Sequence, residues 1–373
     1  MTKGSVLIGM SGGVDSSVAA VLLKEQGYNC IGATMLLHGG PGSLEAQNNT
    51  CCSLDDVEDA RSVARTLGIP HYAFDFSYEF ERDVVSDFAQ SYESGLTPNP
   101  CVRCNRCLKF GYLLQRAREL GCDYIATGHY ARVIHPGTAD DDPLVEQMPE
   151  PERGSSRHLL AKAADVTKDQ SYFLCLLTQK QLARVLLPLG ELTKQHVRDI
   201  AQEYGLVTAR KRESEDICFV PDGDYLGFLE RRRGEAYPEG SIITCDGRVV
   251  GSHRGIAGYT IGQRKGLGVA LGEPAYVCAK DVAANTVTLG PLESIMSQTC
   301  FVKDWNWIIE PPAGPLHLKV RTHYRHTEQP AMVYPLENNQ VRVDFDEPQR
   351  AITPGQYAVA YEDGILAGGG MII

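Results

Sequence analysis

Gly12 and Gly13 stand side by side between two patterns that belong to different kinds of element. Before them, Ser5–Met10 (SVLIGM) is a short apolar run of the kind that forms a buried strand. After them, VAAVLLKEQG has helical length and period, with Gly27 as its stop. A strand that passes through Gly9-Met10-Ser11-Gly12-Gly13-Val14-Asp15-Ser16 into a helix is the first unit of a parallel sheet. The alternation continues. The patterns predict strands at Cys30–Met35, His71–Phe76 and Asp123–Thr127, and helices at Asp55–Leu67, Glu79–Tyr92 and Leu108–Leu120. Strands alternating with helices imply an α/β sheet covered on both faces. Ligands in such sheets sit at the carboxyl ends of the strands, where the glycine loop, Met35 and Gly128-His129 all fall.

Further along, residues 135–157 hold four prolines and six acids without an apolar period, and read as an exposed insertion. Helical patterns resume at Thr178–Leu187 and Thr193–Tyr204. From about residue 240 the chain turns to short alternating strands with turn signals such as Asp246-Gly247. The organisation expected is an α/β domain over 1–209, a small central module over 210–296 and a β-barrel over 297–373.

Thirty-six Lys and Arg against 47 Asp and Glu give a net charge of −11, which argues against a protein that coats nucleic acid by bulk charge. Any RNA contact must use a limited basic face. Twelve cysteines in 373 residues fall well short of a disulfide scaffold. No apolar stretch is long enough to span a bilayer, and MTKGSVLIGMSGG lacks the pattern of a signal peptide. The expectation is a cytosolic protein with reduced thiols.

The two glycines let the backbone turn its N–H groups inward as an anion nest, and the following helix N-terminus adds positive potential. Ser11, Ser16 and Ser17 offer hydroxyls to phosphate oxygens. There is no G-K-[ST] and no G-x-G-x-x-G, which excludes the commonest mononucleotide and dinucleotide loops. The stretch resembles the SGGxDS signature of the PP-loop ATP pyrophosphatases, which cleave ATP between the α and β phosphates. Asp15 would then help to hold Mg²⁺.

Cys101, Cys104 and Cys107 lie at C-x-x-C-x-x-C spacing between Pro98-Asn99-Pro100 and an expected helix. Flanking Arg103 and Arg106 and a helix N-terminus would favour a thiolate. Cys218, in Asp216-Ile-Cys-Phe219, is a second thiol of exposed aspect. The same cysteines could instead bind zinc or an iron–sulfur cluster, with Cys218 as the distant ligand. Cys30, Cys122, Cys175, Cys245, Cys278 and Cys300 read as small buried apolar residues. Cys51-Cys52 opens a helix and could be a thiol pair.

GMSGGVDSS, Met35, NPCVRCNRCLKF, ATGHYAR (126–132), KDQSY (168–172), DICF (216–219), YTIGQRKGLG (259–268) and TPGQ (353–356) together resemble the tRNA-specific 2-thiouridylases along nearly the whole chain. The resemblance implies a PP-loop domain of the adenine nucleotide α-hydrolase-like kind, a central module and a β-barrel. It implies 2-thiolation of the tRNA wobble uridine, with ATP and with sulfur delivered as a persulfide by a carrier or cysteine desulfurase. ATP would lie against Gly9, Met10, Ser11, Gly12, Gly13, Val14, Asp15, Ser16, Met35 and Gly128. Cys104 would be the nucleophile and Cys218 the persulfide carrier, the two closing a disulfide in each cycle. Asn99, Pro100 and Cys101 would meet the target base. His129, Lys168, Asp169, Gln170, His323, Tyr324 and Gln356 would contact tRNA.

Two departures stand out. Cys101 takes the place of an Asp common in the family and Cys107 is an added cysteine, which favours a metal or cluster on Cys101, Cys104 and Cys218. RTHYRH (321–326) replaces an RYR-like stretch, and its Arg321 and Arg325 are expected on the RNA face. The rival readings are an iron–sulfur PP-loop thiolase acting on another base, a PP-loop synthase making a small-molecule amide, and a non-catalytic zinc-stapled RNA-binding protein.

Overall fold

The computed structural model describes residues 3–37, 54–136, 157–211 and 217–373. Cys51, Cys52, Asp216 and most of the acidic stretch at 135–157 lie outside them. β1 (Ser5–Gly9) leads through the glycine loop into α1 (Val14–Glu25), and β2 (Asn29–Leu36), α2 (Leu54–Leu67) and β3 (His71–Asp75) follow. β4 (Tyr124–Ala126) returns to the free side of β1. All these pairings are parallel. Val6, Leu7 and Ile8 are wholly buried, as a strand covered on both faces requires.

β5 (Ala131–Ile134) and β6 (Leu159–Lys162) form an antiparallel pair, and the two-residue β7 (Val185–Leu186) completes the first sheet. Its order is β3-β2-β1-β4-β7. The direction of winding reverses between β1 and β4, so the crevice for ligands opens between the glycine loop after β1 and Gly128 after β4.

Two helices differ from expectation. The pattern at 178–187 predicts one helix, but the helix is only Gln179–Leu182, closed at its start by a Thr178/Gln181 capping box. Val185 and Leu186 pair with β4 instead. An open sheet edge beside a β-branched apolar residue outweighs local helical periodicity.

The cysteine segment does not precede its helix; it is part of it. Asn99 caps the helix, its Oδ1 accepting from Val102 N at 3.4 Å, and Pro100 occupies the first turn, where its missing N–H costs nothing. The helix runs over residues 100–119 as Pro100–Cys104 in α form, Asn105–Tyr112 in π form and Leu113–Glu119 in α form. The preceding helix over 77–93 also contains a π segment, Glu81–Val85. Widened turns of this kind occur mostly at functional sites.

The central module is a four-stranded sheet of β8 (Gly240–Thr244), β9 (Val249–His253), β10 (Tyr276–Asp281) and β11 (Thr286–Gly290), in the order β10-β11-β8-β9. Beyond it come β12 (Met296–Trp307), β13 (Leu316–Arg321), β14 (Gln329–Pro335), β15 (Val341–Arg350), β16 (Tyr357–Glu362) and β17 (Ile365–Ile372). Pairing of β12 with β17 closes these six into a barrel. β6 joins β17 through Ala161 and Ile365, so a hairpin from the first domain extends the barrel sheet. Among the described residues no helix is long and apolar enough to cross a membrane.

Candidate active site

The glycine loop is held open by its own serines. Ser16 Oγ accepts from Ser11 N at 3.1 Å and donates to Gly13 O at 3.2 Å, while Ser17 Oγ donates to Gly13 O at 2.8 Å. Gly12 has φ +72°, and a Cβ there would lie 2.3 Å from the Asp56 carbonyl oxygen. Gly128 packs directly on the loop: a Cβ on it would sit 2.7 Å from Asp15 C and Ser16 N. Gly12 thus lets the loop approach α2, and Gly128 sets how closely the two sides of the crevice approach.

A cavity of about 180 Å³ lies in this crevice. It brings together Gly9, Met10, Ser11, Asp15 and Ser16 from the loop with Met35 after β2 and Gly128 after β4. Four further residues, Ala33, Lys109, Leu113 and Thr127, also line it, without a site signal of their own in the sequence.

His129 and Gln170, expected to contact tRNA, also line this cavity. His129 is buried, with Nδ1 2.7 Å from Thr127 Oγ1. Burial, helped by the positive charge of Lys109, holds its basicity well below that of an ordinary imidazole, so the ring is neutral. Gln170 is tied to the strand exit in both directions: its Oε1 accepts from Tyr130 N at 2.9 Å and its N–H donates to Tyr130 O at 2.7 Å. Tyr130 OH in turn donates to Asp15 Oδ1 at 2.8 Å. Lys194 Nζ bonds both Asp15 oxygens, at 2.7 and 2.8 Å. Lys194 carries no motif signal, and Tyr130, within ATGHYAR, carries no sign of this role; only the fold brings them to Asp15.

Cys101 is exposed, and Cys104, Cys107 and Cys218 are half-buried. Cys104 and Cys218 pack against the same apolar cluster. The helix over 77–93 supports both. Beside Cys104, Arg103 Nε donates to Asp83 O at 3.1 Å in the π segment. Beside Cys218, the Phe219 ring lies 5.7 Å from Phe80 and 5.1 Å from Phe88. Two segments more than a hundred residues apart are thus seated on one support.

The approach to the thiol helix is held by the barrel. Gln356 Nε2 donates to Thr97 O at 2.9 Å and Pro98 O at 3.3 Å, and Thr97 N donates to Pro354 O at 2.9 Å. Asn105 Nδ2 donates to Phe173 O at 3.2 Å. Around this segment, three buried polar atoms have no partner among the described residues: Thr97 Oγ1, Asn105 Oδ1 and Gln356 Oε1. Leaving each unsatisfied costs about 1–3 kcal/mol, a cost that a polar substrate group could relieve.

Arg321 and Asp169, both expected to meet RNA, form a buried ion pair. Asp169 is buried, and Arg321 Nη2 donates to its Oδ2 at 2.9 Å and to Tyr361 OH at 2.8 Å. The guanidinium also lies over the rings of Tyr172 and Tyr361, at 5.4 and 5.0 Å. Leu318 and Val320 point into the barrel, so alternation puts Arg321 on the outward side of β13, against Tyr172 and Tyr361, where the Asp169 carboxylate makes its burial tolerable. Lys168, one residue earlier, is partly exposed, as is His323, while the Tyr324 ring sits 4.3 Å from Phe173.

No disulfide joins any two of the ten described cysteines. Among the described residues no three of His, Cys, Asp and Glu gather as ligands of one ion, so Cys101, Cys104 and Cys218 do not form the set that a cluster or zinc would need. Cys245, expected to be buried, is exposed at the end of β8 beside the Asp246-Gly247 turn, with its Sγ 3.7 Å from that of Cys278.

A family model described as "tRNA methyl transferase HUP domain" matches residues 4–222, "tRNA methyl transferase PRC-barrel domain" matches 227–291, and "Aminomethyltransferase beta-barrel domain" matches 297–372. The tRNA-specific 2-thiouridylase MnmA of Moorella thermoacetica is 48% identical over 98% of this chain and 98% of its own length. The protein of that name from Acetivibrio thermocellus is 46% identical over 100% of both chains. A solved 4-thiouridine synthetase–RNA complex with bound ATP is 15% identical, with a TM-score of 0.35 over 61% of this chain and 50% of that one.

Proposed function

Because the chain belongs to the tRNA-specific 2-thiouridylase family, we propose that it makes 2-thiouridine at the wobble position of tRNA, activating the base with ATP at the switch-point cavity and moving sulfur with Cys218 and Cys104. The observation that carries this reading is convergence: the phosphate loop, Met35, Gly128 and two residues of the thiol helix, Lys109 and Leu113, line one cavity.

In the first step the uridine O2 attacks the α-phosphorus of ATP. The O2–Pα bond forms as the Pα–O bond to pyrophosphate breaks, and pyrophosphate carries off the N3 proton. The loop N–H groups and the Ser11 and Ser16 hydroxyls would bind phosphate oxygens. Neutral His129 and Gln170 would define the wall beside the base, and Asn99, Pro100 and Cys101 its entry. In the second step the terminal sulfur of a Cys218 persulfide attacks C2, and AMP leaves. Cys104 then attacks Cys218 Sγ, forming a Cys104–Cys218 disulfide and leaving sulfur on C2. A dithiol reductant must reopen that disulfide in each turnover.

Asp15 fits a Mg²⁺ ion as a single carboxylate ligand. Lys194 and Tyr130 use three of its roughly four lone-pair sites, and Mg²⁺ commonly takes one carboxylate plus phosphate oxygens and water. The ion would neutralise phosphate charge. An iron–sulfur cluster has no matching ligand set among the described residues, and no step is drawn through one. The partners are tRNA and a persulfide-bearing sulfur donor, in a reducing cytoplasm that keeps the thiols free.

The test is product analysis with tRNA and a persulfide donor. AMP, pyrophosphate and 2-thiouridine are expected in equal amounts. ADP with phosphate, or thiolation that depends on bound iron, would overturn the reading.

A further inference from the structure

We propose that Lys109 is a catalytic residue of the adenylation step, its ammonium facing the α-phosphate from the wall opposite the phosphate loop. This rests on the reading that ATP occupies the cavity. Lys109 lines that cavity together with Gly9, Ser11 and Ser16. Among the described residues lining it, Lys109 is the sole lysine or arginine. The nearby Lys194 is consumed by Asp15, to which it bonds through both oxygens. Lys109 makes no ion pair among the described residues, although it reaches far enough into the wall for its charge to depress the basicity of buried His129.

The backbone explains how it gets there. Lys109 is five residues after Cys104. In an α-helix, five positions turn about 140° from the starting face, which would point Lys109 away from Cys104. The stretch Asn105–Tyr112 is a π-helix, whose i→i+5 bonding brings residue i+5 back toward the side of residue i. The widened turn therefore lets one helix carry a thiol and, one turn on, a cation toward the same side.

As O2 bonds to Pα and the bond to pyrophosphate lengthens, charge gathers on the non-bridging α-oxygens and the departing oxygen. A fixed ammonium there stabilises the transition state more than bound ATP, and it keeps its proton throughout. Loss of one such preorganised donor lowers a rate by about 10²–10³-fold. A lysine that merely neutralised bound ATP would change affinity instead.

The experiment is single-turnover pyrophosphate release with tRNA, alongside equilibrium ATP binding, for the wild type, Lys109→Met and Lys109→Arg. In Lys109→Met, pyrophosphate release should slow at least 100-fold while the ATP Kd changes less than fivefold. Lys109→Arg should recover at least part of the rate, which misfolding would not allow. A Lys109→Met rate within threefold of wild type, or a loss that saturating ATP restores, would overturn the proposal. If the wild type itself releases no pyrophosphate, the reading of the cavity fails and the assignment falls with it.

Discussion

Replacing Arg321 with Ala should separate the barrel from the catalytic domain rather than weaken RNA binding. The guanidinium pairs with Asp169 at 2.9 Å with side-chain exposures of only 11% and 5%. Breaking a buried pair by removing one partner costs about 3–5 kcal/mol. Asp169 would keep its bonds from Ala163 N, Ser171 N and Ser171 Oγ, at 3.2, 3.2 and 3.0 Å, which places the loss near the lower bound. The cation–π contacts with Tyr172 and Tyr361 add about 1 kcal/mol, giving about 3–4 kcal/mol in all. Arg321→Lys keeps the charge without the planar fork and should cost less. Urea unfolding provides the assay, because both tryptophans, Trp305 and Trp307, lie in β12 and report on the barrel, while far-UV ellipticity follows the helices of the first domain. In the wild type the two transitions should coincide; in Arg321→Ala the fluorescence midpoint should fall first. Combining Arg321→Ala with Asp169→Asn should cost at least 1 kcal/mol less than the sum of the single changes. If Arg321→Ala unfolds like wild type by both probes yet binds tRNA poorly, the residue faces RNA and the reasoning fails.

Three other outcomes follow from the geometry. Gly128→Ala would drive a Cβ to 2.7 Å from Asp15 C and Ser16 N, so calorimetry should show ATP binding at least tenfold weaker; an unchanged Kd would contradict the crevice geometry. Cys104→Ser and Cys218→Ser should each abolish 2-thiouridine by nucleoside analysis while leaving pyrophosphate release intact, and thiolation by either variant would end the proposed relay. His71, His129, His135, His158, His253, His323 and His326 are all held below the ordinary imidazole value, chiefly by burial. The unfolded chain then binds more protons than the folded one below pH of about 6.5. Stability should be intact above that pH and fall as the solution is acidified, and a flat urea midpoint from pH 7 to 5.5 would disprove it.

Where one local pattern settles an element, the sequence reads well. SVLIGM, the glycine pair and VAAVLLKEQG foretell β1, the loop and α1, and with them the place of the nucleotide crevice. Reading fails where tertiary context decides. Asn99-Pro100 is a helix start by its chemistry, yet the polar residues and cysteines behind it hide the apolar face until Leu108. The π register that brings Lys109 beside the phosphate loop has no sequence signature, and α-helical counting puts that lysine on the wrong side. Arg321 sits in a basic, tyrosine-containing stretch that suits RNA; only the distant Asp169, packed against the outward face of β13, reveals a clamp. Gln170 and His129 stand out in motifs, but their place in the wall of the crevice cavity depends on β5 and the segment after β6 folding back.

Gln356 and the Thr97 carbonyl are 259 residues apart, and synthesis makes them in order. The glycine loop, Gly128 and Lys109 have all left the ribosome, free to close around ATP, long before residues 354–356 exist to fasten Thr97 and Pro98. Late synthesis of the fastening loop makes completion of the barrel an arming event. Half-made chains should take up nucleotide while the approach to Cys104 hangs loose, so that activation of a base cannot run ahead of the means to thiolate it. A chain ending before Pro354 should therefore bind ATP and transfer no sulfur to tRNA, as nucleotide binding and nucleoside analysis of that truncation would reveal.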